Sequence, residues 1–181
     1  MTTRSFRLLA LALAVVLAGC AASGRRYAEE LANLAGIAPG YGRLTIFRTA
    51  DSTLYWARTA TVSIDGKEVG GCDIKGFATF DVPAGTHVLD VEIPDAPGKC
   101  RLSIVAEGGA THYFEIAPRL ASYVASLPGA LLGAVLPFGG VVAAIGMAAE
   151  SSERECGGAF SIVPVAESVA LSKLPDLRRS D

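Results

Sequence analysis

Residues 60–69, Ala-Thr-Val-Ser-Ile-Asp-Gly-Lys-Glu-Val, decide the fold of this chain. Val62 and Ile64 alternate with polar neighbours, which is the period of a strand with one buried face. The Asp65-Gly66 pair that follows is the strongest short-range signal for a two-residue hairpin turn. The stretch therefore predicts a β-hairpin, with a bulge or a strand end at the Gly70-Gly71 pair just beyond it.

The same two-residue period recurs on both sides of the hairpin. Each segment is short, alternates apolar and polar residues and stops near glycine or proline, and no helical pattern lies between the segments. This arrangement predicts a mainly β class and a small antiparallel, Ig-like β-sandwich. The first strand reads as half-buried. Beside the hairpin, the predicted strands are 43–47, 77–82, 87–93, 100–106 and 112–116, with 160–165 as a last strand at an edge.

Four stretches carry a more specific resemblance: RLTIFRTAD (43–51), VSIDGKEVGGC (62–72), GFATFDVPAGTHVLDVEI (76–93) and EGGATHYFEI (107–116). They resemble the DUF2846 family of bacterial lipoproteins. The D-G-K-x-V-G and P-x-G-x-H elements are also similar to PEGA-type surface modules. The resemblance covers about residues 42–117. It implies a small PEGA-like β-sandwich on a lipid anchor, and it implies no activity and no catalytic residue.

The beginning of the chain predicts export from the cytoplasm and a lipid anchor. Arg4 and Arg7 precede an apolar run over 8–18, which is typical of a secretory signal. The sequence Leu17-Ala18-Gly19-Cys20 resembles the lipobox of bacterial lipoproteins. That resemblance implies removal of 1–19, a diacylglycerol on the Cys20 thiol and an acyl chain on its new amine, which together anchor stably. An ordinary signal peptide is the alternative. Ala21 favours the outer membrane, facing the periplasm.

Composition limits the remaining functions. The formal net charge of -2 and the absence of a basic run speak against nucleic acid as a partner. Cysteine and histidine are not spaced as metal ligands, so no metal is expected, and no cofactor is expected beyond the lipid. His87 and His112 stand where histidines cap or pack the end of a sheet. No catalytic motif and no small-molecule substrate can be inferred.

Three cysteines remain after Cys20. In an oxidising compartment Cys72, Cys100 and Cys156 allow one disulfide, in three pairings, and one leftover thiol. The favoured pair is Cys100 with Cys156, because each opens an apolar strand-like run and the two runs could be neighbours. Three reduced and buried thiols are the alternative.

Outside the sandwich the chain divides into further parts. Residues 20–41 read as a lipidated tether whose short helix stands between lipid and domain, and 151–181 as a final strand, a closing helix and a frayed Arg-Arg-Ser-Asp end. Between them, 118–150 is an apolar, glycine- and proline-containing helical segment, and 120–149 carries no charge. Three interpretations stay open for it: a helical hairpin packed on the sandwich, contact with or insertion into the membrane, or self-association.

One loop is the best local hint of a binding surface. Tyr55 and Trp56 lie between two predicted strands, and exposed aromatic residues on a loop can form a binding edge. The alternative is an aromatic plug over one end of the sandwich. Arg48 and Arg58 bracket the loop and are expected to be solvated.

We expect a non-enzymatic lipoprotein acting as a structural or interaction module, with a membrane and an envelope protein as partners. A membrane-active or oligomerising lipoprotein that uses 120–149 is the rival.

Overall fold

A computed structural model describes residues 21–50, 54–119 and 154–180. Within these ranges the chain forms ten strands, two α-helices and one 3₁₀ helix. The strands are β1 (Tyr41–Arg48), β2 (Ala60–Ile64), β3 (Lys67–Cys72), β4 (Gly76–Pro83), β5 (Gly85–Glu92), β6 (Lys99–Ala106), β7 (Thr111–Pro118), β8 (Arg154–Cys156), β9 (Phe160–Val165) and β10 (Arg178–Arg179). The helices are α1 (Tyr27–Asn33), α2 (Glu167–Lys173) and the 3₁₀ helix (Leu174–Asp176).

The strands form two five-stranded sheets, which confirms the mainly β sandwich. The first sheet has the order β10-β4-β1-β7-β9 and the second has the order β3-β2-β5-β6-β8. The sequence pattern predicted antiparallel sheets, and most strand pairs are antiparallel. Two pairs differ, since β7 runs parallel to β1 and β10 runs parallel to β4. The chain leaves the first sheet after β1 and again after β4, and two strands of the second sheet precede each return. β7 therefore comes back in the direction of β1.

The hairpin predicted at Asp65-Gly66 forms between β2 and β3. Asp65 and Gly66 have φ angles of 52° and 77°, so both central residues of the turn lie in the left-handed region. The β2–β3 register shifts between Val62 and Ser63, opposite Gly70 and Glu68, which leaves Val69 as an extra residue. The bulge predicted near the glycine pair is therefore confirmed.

The two sheets bury a common core between them. The apolar residues of the alternating pattern meet there, as strand periodicity requires. Since sandwich cores of this kind exclude water from both inner faces, they supply most of the stabilisation of the fold. The core includes Leu44, Ile46, Val62, Leu89, Val91, Leu102, Phe114, Ile116, Phe160 and Ile162.

A second, smaller core covers the other face of the first sheet. The ring of Phe77 meets Tyr27 edge to face at 5.1 Å between centroids, and α2 with the 3₁₀ helix adds Ala170 and Leu174. The prediction of a half-buried first strand is therefore wrong: β1 is buried on both faces from Gly42 to Arg48. α1 is also not a free spacer, because its Tyr27 packs in this second core and its Glu30 is buried, although Leu31 of the predicted apolar side is 52% exposed.

The end of the chain is ordered rather than frayed up to the last described residue. Arg178 and Arg179 pair with Gly76 and Phe77 as β10, and the Arg179 guanidinium forms an ion pair with the buried Glu30 of α1. Local composition could not reveal this, since the two arginines are held by backbone pairing to a distant strand.

No helix within the described ranges is both long and apolar enough to cross a bilayer. Residues 1–20 and 120–153, which hold the predicted signal, Cys20 and the apolar segment, lie outside those ranges.

Candidate functional site

The first described residues are held at one end of the sandwich. Ala21 forms an isolated β-bridge with Ile74, and the backbone N–H of Ala22 donates to the Ile74 carbonyl at 3.2 Å. Ile74 lies in the short connection from β3 to β4. The residue that follows Cys20 is therefore docked on the domain rather than separated from it by a tether.

We call this end of the sandwich the anchor end, defined by the described residues 49–50, 54–59, 73–75 and 93–98 and by the chain at 119 and 157–159. Strand directions place these segments together, because β1 and β7 finish where β2, β4 and β6 begin. Direct contacts join them: Thr59 Oγ1 donates to Asp73 Oδ1 at 2.5 Å, and the Arg119 side chain donates to the Gly158 carbonyl at 3.0 Å.

Arg48 organises the anchor end. Only 2% of it is exposed, and its guanidinium donates to the carbonyl oxygens of Arg58 and Tyr55 at 2.5 Å each. The same group lies 4.7 Å from the ring centroid of Phe160, a cation–π distance. Burial lowers the pKa of Arg48 from its ordinary value. The expectation that Arg48 is solvated is therefore wrong, since the loop folds back and supplies acceptors that replace water.

The predicted aromatic loop separates into two roles. Tyr55, with a φ of 54°, turns its ring against Phe160 edge to face, 5.6 Å between centroids. Trp56, the next residue, is 42% exposed. One residue is thus the plug and its neighbour is the exposed aromatic. Arg58 is half-exposed and forms an ion pair with Asp95 at the surface. The expectation that Arg58 is solvated is therefore confirmed.

A disulfide joins Cys100 to Cys156, the pair favoured from sequence. The two residues face each other in the β6–β8 register at the edge of the second sheet. The two apolar runs are not neighbours, however, because Cys156 ends β8 and the apolar run after it, β9, belongs to the first sheet. The remaining Cys72 is buried, and burial raises the pKa of its thiol to about 12.

A groove of about 430 Å³ opens along one side of the sandwich, between β3 and β4. Among the described residues, β10 pairs with the edge of β4 at Gly76 and Phe77 and not beyond them. Because Ser180 N–H donates to the Phe77 carbonyl on this edge, and strand amides alternate in direction, the amide groups of Thr79 and Asp81 face the same side. The lining residues are Val69, Gly70, Gly71, Ala78, Thr79, Phe80, Arg179 and Ser180.

His87 connects two turns at the opposite end of the sandwich. Its Nδ1 lies 2.7 Å from Asp65 Oδ2, and its Nε2 lies 2.7 Å from the Pro83 carbonyl oxygen. Both partners are acceptors, so the imidazolium, which donates from both nitrogens, fits this place best. The hydrogen bonds to Asp65 and then to Pro83 raise the pKa of His87, and the same contact with His87 lowers the pKa of Asp65.

The other polar side chains considered for chemistry are engaged in structural contacts. Arg43 holds Asp81 with two hydrogen bonds of 2.6 and 2.8 Å, and Asp90 accepts from Lys99 and Arg101. His112 Nε2 accepts from the Glu107 backbone N–H at 2.9 Å, across the turn. Among the described residues, no three acidic, cysteine or histidine side chains cluster as metal ligands.

Fold and contacts define the class of this protein as a small two-sheet β-sandwich with helices over one sheet and a disulfide at an edge. Comparisons of the chain with protein-family models, with curated proteins and with solved structures find no match in any of the three. The resemblance to DUF2846 lipoproteins therefore stays a prediction.

Proposed function

We propose that this is a lipid-anchored, non-enzymatic protein of the bacterial envelope, a structural or interaction module on the outer membrane facing the periplasm. The observation that supports this best is the place of Ala21. Lipid on Cys20 would leave no free linker, because the next residue already contacts Ile74. The sandwich would then be held against the membrane by its anchor end, and its sides would face the periplasm.

The non-enzymatic part of the proposal draws on how the reactive side chains are used. Cys72 is buried with a raised pKa, which keeps the thiol protonated and unreactive. Both ring nitrogens of His87 are engaged in hydrogen bonds to the two turns that the side chain joins. A nucleophile needs a base within hydrogen-bond reach, whereas the Cys72 thiol donates to the backbone carbonyls of Asp73 and Gly76, which are not bases.

The interaction part of the proposal assigns the groove between β3 and β4 to an extended segment of an envelope protein. Strand addition needs a row of outward amide groups, and Thr79 and Asp81 provide one beyond the end of β10. The chain itself uses this edge in the same way, since β10 lies parallel to β4 over the first two positions. A partner segment would continue that strand.

The anchor is tested by following the Cys20→Ala variant, exported with a cleavable non-lipoprotein signal. We expect wild-type protein to incorporate labelled palmitate and to stay with membranes under carbonate wash, and the variant to be unlabelled and to wash off folded. Unlabelled wild-type protein would overturn the lipid anchor. A variant that resists the wash would instead point to a second anchor in the chain.

The groove is tested by photo-crosslinking in cells from a benzophenone amino acid placed at Thr79. The matched control carries the same group at Val105, an exposed position on β6 in the second sheet. We expect one discrete adduct from position 79 that is missing from position 105 and is lost when proline, which lacks the N–H, replaces Asp81. The adduct should remain in Asp81→Ala, which loses the same ion pair with Arg43 but keeps the N–H. Adducts from both positions, or from neither, would contradict the groove assignment.

A second candidate is the membrane-active protein that uses 120–149, and one observation favours it. Arg119, the last described residue before that stretch, lies at the anchor end beside Gly158, so the uncharged stretch starts where the lipid would be. Deletion of 120–149 in the Cys20→Ala protein separates the two. A soluble, folded sandwich favours membrane action, whereas loss of folding indicates that the stretch is core.

A further inference from the structure

We infer that the anchor end is a membrane-contact surface and that Trp56 occupies the phospholipid headgroup layer there. This inference rests on the lipid anchor proposed above. It adds to that proposal a defined orientation and a side chain that contacts lipid, neither of which a lipidated cysteine alone requires.

A short path of contacts connects the lipidation position to Trp56. Ala21 bridges to Ile74, and the neighbouring Asp73 accepts a hydrogen bond from Thr59 at 2.5 Å. Thr59 directly follows the turn that holds Trp56, which is closed by Arg58 N–H donating to the Tyr55 carbonyl at 3.0 Å. An acyl chain on Cys20 would therefore enter the bilayer on the side of the molecule that carries Trp56.

The exposure of Trp56 is built into the turn. Arg48 binds the carbonyls of Tyr55 and Arg58 from inside the protein, and the Tyr55 ring is locked against Phe160. With the backbone held on both sides of Trp56, its indole stays outside, 42% exposed. A large aromatic residue held in this way is available to a partner without rearrangement of the loop.

The chemistry of this surface fits the bilayer interface. Tryptophan favours the headgroup level, where its apolar ring is partly buried and its N–H stays hydrated. The charges beside it, Arg58 and Asp95, form an ion pair of opposite signs, which suits zwitterionic headgroups. Arg119, after which 120–149 carries no charge, lies at the same end. These features point to lipid rather than to a charged protein surface.

Tryptophan fluorescence tests the inference directly, since Trp56 is the only tryptophan in the sequence. The full-length lipidated protein is reconstituted into phosphatidylcholine vesicles with and without brominated acyl chains, and co-flotation with the vesicles is measured in the same samples. We expect emission at shorter wavelength than for the Cys20→Ala protein in buffer, loss of emission with brominated lipid, and weak quenching by iodide.

The matched control moves the probe to the other end of the sandwich. Tyr41, at the start of β1, is 40% exposed, so a Trp56→Phe, Tyr41→Trp protein carries one indole of similar exposure far from the anchor end. We expect this indole to be quenched by iodide and to be insensitive to brominated lipid, although the protein floats with the vesicles as before.

Each of the other outcomes contradicts a specific part of the inference. If the protein floats but brominated lipid quenches Trp56 no more than the indole at position 41, the membrane-contact surface is wrong and the lipid anchor stands. Equal and strong quenching at both positions contradicts a fixed orientation. If the wild-type protein does not float, the anchor fails and the inference fails with it.

Discussion

Arg48 illustrates, at the scale of a single residue, how a charged side chain can be an internal scaffold. It is buried, and its partners are backbone carbonyls of the loop at 54–58 together with the Phe160 ring. Removing it would take the charged donor from both carbonyl oxygens, of which that of Tyr55 would keep only the Arg58 N–H, and loss of such a partner is costly in a partly buried place. The residue therefore couples the shape of the anchor end to the stability of the whole domain.

Replacement of Arg48 by alanine is expected to lower the free energy of unfolding by about 3 kcal/mol, because its charge-assisted hydrogen bonds to the loop and its contact with the Phe160 ring are lost together. The control is Arg58→Ala, which removes a half-exposed ion pair worth less than about 1 kcal/mol. Urea unfolding followed by circular dichroism measures both. Equal losses in the two variants would contradict the scaffold role of Arg48.

His87 makes stability depend on pH in a direction that can be stated. Its pKa is raised above the ordinary 6.5 by Asp65 and the Pro83 carbonyl. The stabilisation is therefore complete below pH 6.5 and is lost as the pH rises through the raised value of the folded state. Asp65 has a lowered pKa, so its own contribution is lost only as the pH falls below the usual carboxylate range.

The measurement is the urea midpoint of wild type and His87→Asn at a series of pH values from 6 to 9. We expect the wild-type midpoint to fall relative to that of the variant above pH 6.5, while the difference between them stays constant just below it. Asp65→Asn should remove most of the same pH dependence. Parallel curves for wild type and His87→Asn would show that the ion pair does not contribute.

At the scale of elements, the disulfide fixes β8 as an edge strand of the second sheet. Cys100 and Cys156 are joined, and Cys72, the last residue of β3, is buried in the core between the sheets. With Cys20 lipidated, we expect alkylation of no cysteine in the native protein, of one after denaturation, and of three after denaturation and reduction. Peptide mapping identifies the modified residues. A bridge that contains Cys72 would contradict the strand pairing, and a further reactive thiol would contradict lipidation.

For the whole molecule, the two cores should protect the backbone amides of different strands unequally from hydrogen exchange. β1 lies in the middle of the first sheet with the inter-sheet core on one face and the helices on the other, whereas β3 is an edge strand lining the groove. We expect the amides of β1 to exchange only through global unfolding and those of β3 through smaller openings. Native-state hydrogen exchange in rising urea distinguishes the two. Equal opening free energies would refute this division.

The sequence by itself determined those features of the fold that depend only on residues close together along the chain. The period of two marked the strands, Asp65-Gly66 placed the hairpin and its turn, and glycine and proline marked most of the element ends. These signals are local, because strand alternation and turn conformation are properties of a few consecutive residues. They were enough for the class of fold and for the inner faces of both sheets.

Only the tertiary structure decided what covers each surface. Alternation in β1 could not show that helices from both ends of the chain bury its second face, nor could composition show that two terminal arginines extend the first sheet. Arg48 is inside because the following loop returns to provide acceptors, and that same return turns Tyr55 inward and leaves Trp56 outside. Periodicity records which residues are apolar, whereas burial depends on which distant segment arrives to exclude water.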